Sequence, residues 1–279
     1  MLETLAAALK GVGGVRAIVL GGSRGRGTAQ AGSDYDIGLY YDGAGGLDIA
    51  ALEAAAVLLN GCAVRGPGKA PGDPLMTRPG GWGEWVDGGG WLVVGGEPVD
   101  LLYRELARVD RVIDAAERGE FTIAYHVGHP HGFASPIYAG EIATCRVLHD
   151  PEGLVTARKA RLEPYPEALR AAAITRFGRE GRFFLEIAQK AAARGDLVYV
   201  TGCAFRAASC LLQVVFAINR EWLLNEKGAA ALAAGFARAP KDLRLNLEGA
   251  LAELAAGPQG MLSCLRAIAD LFDEAAALA

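Results

Sequence analysis

The chain has 279 residues, of which 52% are hydrophobic and 22% are charged. This length and composition exclude a disordered protein and allow two modest domains, each with its own core. The formal net charge of −4 argues against a long nonspecific contact with a nucleic-acid backbone.

The amino terminus lacks the basic flank and small-residue cleavage site of a signal peptide, and no uncharged apolar stretch is long enough to cross a membrane. We therefore expect a cytoplasmic location. The five cysteines are scattered, odd in number and without the spacing of metal ligands. We expect them to be small core residues.

The first predicted elements are a helix, a strand and a glycine turn. Leu2 to Lys10 predicts an opening helix, and Val15 to Leu20 predicts a strand. This strand ends directly in Gly21-Gly22-Ser23. Two glycines let backbone N–H groups approach a phosphate, and a short helix is expected to follow the turn.

A pair of carboxylates opens the next strand. Ser33, Asp34 and Asp36 precede or begin the apolar run Ile37 to Tyr41. If both aspartates belong to the strand, its period of two places them on one face, about 6–7 Å apart. Such a pair can share hard divalent cations, which is the geometry of metal-assisted phosphoryl chemistry. The alternative is a solvated strand end, because turns are rich in aspartate.

The next segment changes from helical to irregular. Leu47 to Leu59 predicts a helix, and the glycine- and proline-rich residues 61–90 predict loop and short strand. Trp82 and Trp85 lie in that loop. They either stack on a base or shape a binding cleft, or they cap a core, which is the commoner role of loop tryptophans.

A third carboxylate lies inside a later strand. Glu97 to Tyr103 predicts a strand after the hairpin-like segment Trp91 to Gly96, and Asp100 interrupts its apolar run. An ionised carboxylate between Val99 and Leu101 is costly to bury unless a cation or hydrogen bonds compensate it. Asp100 is therefore a candidate site residue, and the alternative is a strand residue that faces outward.

The rest of residues 1–150 predicts a mixed sheet flanked by helices. Arg104 to Arg118 predicts a helix, and Phe121 to Tyr125 and Ile142 to Leu148 predict strands. A proline-interrupted segment between them predicts a surface loop, and its lack of a cysteine or acidic cluster disfavours a zinc site. The loop contains three histidines, His126, His129 and His131, and the alternative to a plain surface loop is one that borders a binding cleft and donates hydrogen bonds.

Helical patterns dominate residues 151–279, so we predict a second, all-helical domain and an α+β protein overall. Lys227 follows a nearly all-apolar helix there. It either complements the helix dipole or faces the first domain. The predicted helices are Glu152 to Arg161, Pro166 to Arg194, Tyr199 to Asn219, Ala229 to Arg238, Lys241 to Ala256 and Gly260 to Leu278.

The order of strand, Gly-Gly-Ser turn, short helix and Asp-x-Asp motif resembles the nucleotidyltransferase superfamily, which includes DNA polymerase beta, poly(A) polymerases and the aminoglycoside nucleotidyltransferases. In that superfamily the serine and the turn hold a triphosphate, two aspartates hold magnesium ions and a later strand supplies a third carboxylate. The resemblance implies that Asp34, Asp36 and Asp100 are the catalytic and metal-binding residues. It implies these nucleotide-binding residues: Gly21, Gly22, Ser23, Arg24, Ser33 and Lys227.

The residues leave the role of Arg24 open between phosphate contact and solvent exposure. A lysine of the helical half neutralises the triphosphate in related enzymes, which is why the resemblance includes Lys227.

The resemblance further implies a magnesium-dependent enzyme, with two ions expected, that moves AMP from ATP to a hydroxyl of a small acceptor and releases pyrophosphate. An aminoglycoside-type antibiotic held between the two domains is the expected acceptor, with no membrane partner and no nucleic acid except tRNA. The alternatives are a tRNA or protein acceptor and a catalytically silent, nucleotide-binding regulator.

Overall fold

The computed structural model describes residues 1–60 and 72–279. The chain forms two compact units, of which the first combines Met1–Ala115 with Tyr138–Pro164 and the second combines Ala116–Ile137 with Tyr165–Ala279. The predicted division at residue 150 does not coincide with these units, because the chain enters the second unit early and then returns to the first. Cys62 and part of the predicted loop 61–90 lie outside the described residues.

The strands and helices are as follows. The described strands are β1 (Val15–Leu20), β2 (Tyr35–Tyr41), β3 (Gly89–Val94), β4 (Glu97–Glu105), β5 (Ile123–His126), β6 (His129–Ala134) and β7 (Arg146–His149). The described α-helices are α1 (Leu2–Leu9), α2 (Gly22–Arg26), α3 (Ile49–Leu59), α4 (Leu106–Glu117), α5 (Pro136–Thr144), α6 (Leu154–Arg161), α7 (Glu167–Ala193), α8 (Leu197–Ile218), α9 (Ala229–Ala233), α10 (Leu243–Ala252) and α11 (Gly257–Ala277).

The first unit is built on a mixed five-stranded sheet in the order β3-β4-β2-β1-β7. Only the central pair β2 and β4 is parallel among these neighbours. Alternate strand residues face an apolar core with α1 and α3, as their period of two requires. This confirms the predicted α+β class. The core includes Leu5, Leu9, Ile18, Leu20, Ile37, Leu39, Leu52, Val99, Leu101 and Tyr103.

Helix α5 covers part of the opposite sheet face and was missed by the sequence analysis. Arg104 of β4 is 3% exposed and donates from Nε and Nη2 to the two carboxylate oxygens of Glu141, over 2.6 and 2.7 Å. Its guanidinium lies 4.8 Å from the ring centre of Tyr138. The predicted strand Ile142 to Leu148 is therefore wrong in its first part, because these contacts hold a helix up to Thr144.

The histidine-rich segment forms a hairpin in the second unit, where the sequence analysis predicted a loop. His126 of β5 is the register partner of His129 of β6. Pro130 lies within β6 without preventing the pairing, because each strand of a two-stranded hairpin has a free edge that tolerates a missing N–H donor.

The rest of the second unit is helical, as predicted, around α7, α8 and α11. Helix α9 is shorter than the predicted Ala229 to Arg238, since a turn closes at Gly235, whose N–H donates to the Leu232 carbonyl. By length and composition alone helix α8 could cross a membrane, although it contains the charged Arg206. Most of α8 is buried in the core of this unit, which is typical of a central bundle helix.

The hairpin is joined to α8 and to the loop that follows it by a partly buried polar network. Glu226 accepts a hydrogen bond from the His131 N–H over 2.9 Å, and its other oxygen lies 3.2 Å from Nδ1 of His129. Arg206 donates to the His131 carbonyl over 2.8 Å. The His131 ring is buried, with Nε2 3.9 Å from Sγ of Cys210. Burial, with the nearby Arg206 charge, lowers the pKa of His131.

We predict that this buried ring makes the stability of the protein fall with pH below neutrality. The unfolded histidine binds a proton near its ordinary pKa of 6.5, whereas the folded ring, with its lowered pKa, resists protonation. The contribution of His131 to stability is therefore fully present above pH 6.5 and is lost as the pH falls from there toward the lower pKa of the folded ring. The His131→Gln variant should show a shallower fall of the thermal midpoint between pH 7.5 and 5. If the thermal midpoint fell equally steeply with pH in both proteins, the proposed role of His131 would be contradicted.

Candidate active site

Two of the predicted carboxylates lie side by side in the sheet. Asp36 of β2 is the register partner of Asp100 of β4, and the two strands run parallel. Their neighbours Ile37, Val99 and Leu101 are fully buried on the core side, so the period of two places both carboxylates on the other face. Both aspartates are half-buried. The structure thus brings together two acidic side chains that are far apart in sequence.

The glycine turn is packed directly against the first of these carboxylates. The N–H of Gly21 donates to the Asp36 carbonyl over 2.8 Å, which ties the end of β1 to β2. Gly22 has a φ of +56°, and a Cβ at this position would overlap Oδ2 of Asp36. The Asp36 carboxylate therefore occupies space that only a glycine at position 22 leaves open.

This geometry divides the roles of the turn residues. The N–H of Gly21 is already bonded within the fold, so the predicted phosphate contact of the turn stays with Gly22 and Ser23. These two residues begin α2, where the first N–H groups have no carbonyl partner within the helix. Gly27 closes this short helix in the left-handed conformation.

Arg24 and Ser33 hold the loop that leads into β2. Arg24 donates from Nε and Nη2 to the Ser33 carbonyl, over 3.0 and 2.8 Å, and its guanidinium lies 3.7 Å from the ring centre of Tyr35. Oγ of Ser33 accepts a hydrogen bond from the N–H of Gln30. The described contacts of both residues fix the approach to Asp36. The nucleotide contacts of Arg24 and Ser33 stay predictions.

The remaining predicted residues are less closely connected to the pair. Asp34 is half-buried and lies two residues before Asp36, just outside β2. Within residues 1–60 and 72–279, no group of three histidine, cysteine, aspartate or glutamate residues is arranged to hold a metal ion. The three-carboxylate metal site therefore stays a prediction. Lys227 is exposed in the second unit, and its N–H donates to Oδ1 of Asn225. Its contact with a nucleotide also stays a prediction.

An aromatic pair borders the carboxylates, and the sequence analysis missed it. Trp91 of β3 is the register partner of Asp100 and stacks on Trp82, with ring centres 4.4 Å apart. Trp85, the expected companion of Trp82, instead packs edge-on against Tyr138. One signal in the sequence could have identified Trp91 as a neighbour of the site. It lies in the hairpin strand directly before the strand that contains Asp100.

Comparison with known proteins agrees with this arrangement. Residues 2–64 match the family model described as a nucleotidyltransferase domain, over a range that includes β1, the glycine turn and β2. The chain contains a nucleotidyltransferase domain. The predicted superfamily is thereby confirmed, and with it an enzyme of nucleotidyl transfer. Residues 140–227 match a domain of unknown function, DUF4037.

Solved structures and curated proteins add little detail. A nucleotidyltransferase-like protein from Exiguobacterium sibiricum 255-15 is similar at 11% sequence identity, covering 98% of this chain and 75% of that one, with a TM-score of 0.43. No curated protein matches the sequence.

The contrast between the two glycines predicts different effects of alanine. Gly22→Ala forces a left-handed alanine, which costs roughly 1–2 kcal/mol, and displaces the Asp36 carboxylate. We expect it to reduce nucleotidyl transfer by at least about 10-fold. Gly21→Ala is the matched control, because its Cβ would lie 3.7 Å from the Asp36 carbonyl oxygen at a φ of −103°. Equal loss in both variants would contradict the proposed packing.

Proposed function

We propose that the nucleotidyltransferase domain moves AMP from ATP to a hydroxyl group of a small acceptor and releases pyrophosphate. One observation carries this proposal: the Asp36 and Asp100 carboxylates are register partners beside a glycine turn that is packed against Asp36. Such a site places acidic oxygens next to backbone donors suited to phosphate. The resemblance to the superfamily supports ATP as the donor.

Magnesium fits the chemistry of this pair. Hard divalent cations take carboxylate oxygens, and Asp36 and Asp100 present such oxygens from rigid strands. The resemblance to the superfamily supports Asp34 as a further ligand beside Asp36, with Asp100 as the third carboxylate, and Asp34 is half-buried just before β2. When bound, magnesium would neutralise charge on the triphosphate and on the departing pyrophosphate.

The protein residues have separate tasks in the transfer. Gly22 and Ser23 would hold the outer phosphates of ATP at the start of α2. The acceptor oxygen then forms a bond to the α-phosphorus while the bond from that phosphorus to the bridging oxygen breaks, and pyrophosphate carries away the electron pair. Asp100 either completes the cation site or accepts the proton of the acceptor hydroxyl.

The proposed acceptor is a small cationic molecule such as an aminoglycoside-type antibiotic. The net charge of −4 and the carboxylates of the site favour a positively charged partner. We place the reaction in the cytoplasm, where ATP and magnesium are available.

We predict that Asp36→Asn reduces transfer of label from α-labelled ATP to a small acceptor by at least about 100-fold, because the amide loses the charge that the donor complex needs. The measurement screens aminoglycoside, lincosamide and tRNA pools in magnesium. Asp270→Asn is the control, since it makes the same chemical change at an exposed position of α11.

Unchanged transfer by Asp36→Asn would overturn the role of the carboxylate pair. Label recovered in RNA or protein would replace the small acceptor with a macromolecular one. Absence of pyrophosphate release with every acceptor would contradict the proposed reaction.

A further inference from the structure

The carboxylate pair belongs to a longer row of side chains across the sheet. Asp36, Asp100 and Trp91 are successive register partners on the adjacent strands β2, β4 and β3. Directly paired residues project from the same face of a sheet. Neighbouring strands lie about 5 Å apart, so the Trp91 ring begins roughly one strand spacing from Asp100. Along this row the sheet face thus changes from acidic to aromatic within a short distance.

The second tryptophan is held in place by the backbone around it. Trp82 stacks on Trp91 at an angle of 29° between the rings. Gly89 lies two residues before Trp91, and a Cβ there would overlap the Leu101 carbonyl oxygen and lie 3.0 Å from a ring carbon of Trp82. The absence of a side chain at Gly89 therefore allows the close approach of the β4 backbone and of the Trp82 ring.

The loop that carries Trp82 is anchored by a buried aspartate. Asp87 is 3% exposed, and its carboxylate accepts hydrogen bonds from the Tyr41 hydroxyl over 2.8 Å and from the Gly80 N–H over 2.9 Å. Its carbonyl accepts from the Trp82 N–H over 3.2 Å. The aromatic pair is therefore preorganised, which lowers the ordering cost of binding a ligand.

The direction of the reaction places the acceptor on this side of the carboxylates. In the strand order, the glycine turn at the end of β1 lies on one side of Asp36, and β4 and β3 lie on the other. If the turn holds the outer phosphates, pyrophosphate leaves toward β1. An in-line displacement then requires the acceptor hydroxyl to approach from the β4 and β3 side. This step rests on the proposed function.

We propose that Trp82 and Trp91 form the platform on which a ring of the acceptor lies during transfer. Both tryptophans are partly exposed, so ring surface is available to a ligand. Tryptophan faces attract apolar ring faces and cations, and the adjacent Asp100 adds negative charge. The chemical class that satisfies both is a hydroxylated ring with ammonium groups. The pair thereby selects the acceptor and leaves the donor nucleotide unaffected.

The first test measures transfer kinetics. Trp91→Leu should raise the KM for an aminoglycoside acceptor about 10-fold and change the KM for ATP less than about 2-fold, since it removes a stacking surface on the acceptor side only. Trp85→Phe is the control, because Trp85 packs on Tyr138 outside the row. A purely structural role of Trp91 would lower the thermal midpoint without changing the acceptor KM, which would overturn the proposal. A selective rise in the ATP KM would also overturn it.

The second test measures binding without requiring catalysis. The chain has four tryptophans, so a Trp85→Phe, Trp222→Phe double variant leaves Trp82 and Trp91 as the fluorescent reporters. In magnesium with a non-hydrolysable ATP analogue, an aminoglycoside should cause a saturable change in emission. Spermidine, which has charge but no ring, should cause none at the same concentration.

The outcomes separate this inference from the proposed function. A saturable aminoglycoside signal without any transfer by the wild-type protein would support the platform and reject the reaction. Transfer without that signal would support the reaction and reject the platform. An equal response to spermidine would reject ring recognition.

Discussion

The candidate site depends on the parallel pairing of β2 with β4. This register makes Asp36 and Asp100 direct neighbours, although each belongs to a strand whose other face is buried in the apolar core. A shift of one residue in either strand would turn its carboxylate into that core, where an uncompensated charge is costly. The alternation of apolar residues in both strands therefore fixes their register. Burial of the apolar face stabilises the arrangement in which Asp36 and Asp100 are neighbours.

The turn and loop around Asp36 extend the same constraint. The Asp36 carboxylate occupies the space that a side chain at Gly22 would need. Arg24 donates two hydrogen bonds to the carbonyl of Ser33 just before the strand. Asp87 fixes the loop that stacks Trp82 on Trp91. Rigid backbone on both sides of the carboxylates is suited to a reaction that depends on positioning more than on covalent chemistry.

Local patterns in the sequence predicted the strands, the turn and the acidic residues of the site. The contacts between residues far apart in the sequence could not be predicted from those patterns. The glycine turn, Asp34 and Asp36 stand out because they lie at the ends of apolar strands, and Asp100 stands out because it interrupts one. Trp82 stacks on Trp91, and Arg24 donates hydrogen bonds to the Ser33 carbonyl. Local sequence patterns do not indicate either of these contacts. The same reason explains the missed helix α5, whose position follows from the buried contact of Arg104 with Glu141.

Binding of Mn²⁺, followed by electron paramagnetic resonance in the presence of ATP, tests the central claim most directly. The account predicts that the wild-type protein binds the ion with ATP and that Asp36→Asn and Asp100→Asn each weaken this binding by at least about 10-fold, since both carboxylates supply oxygens to one site. Wild-type affinity in the Asp100→Asn variant would contradict it.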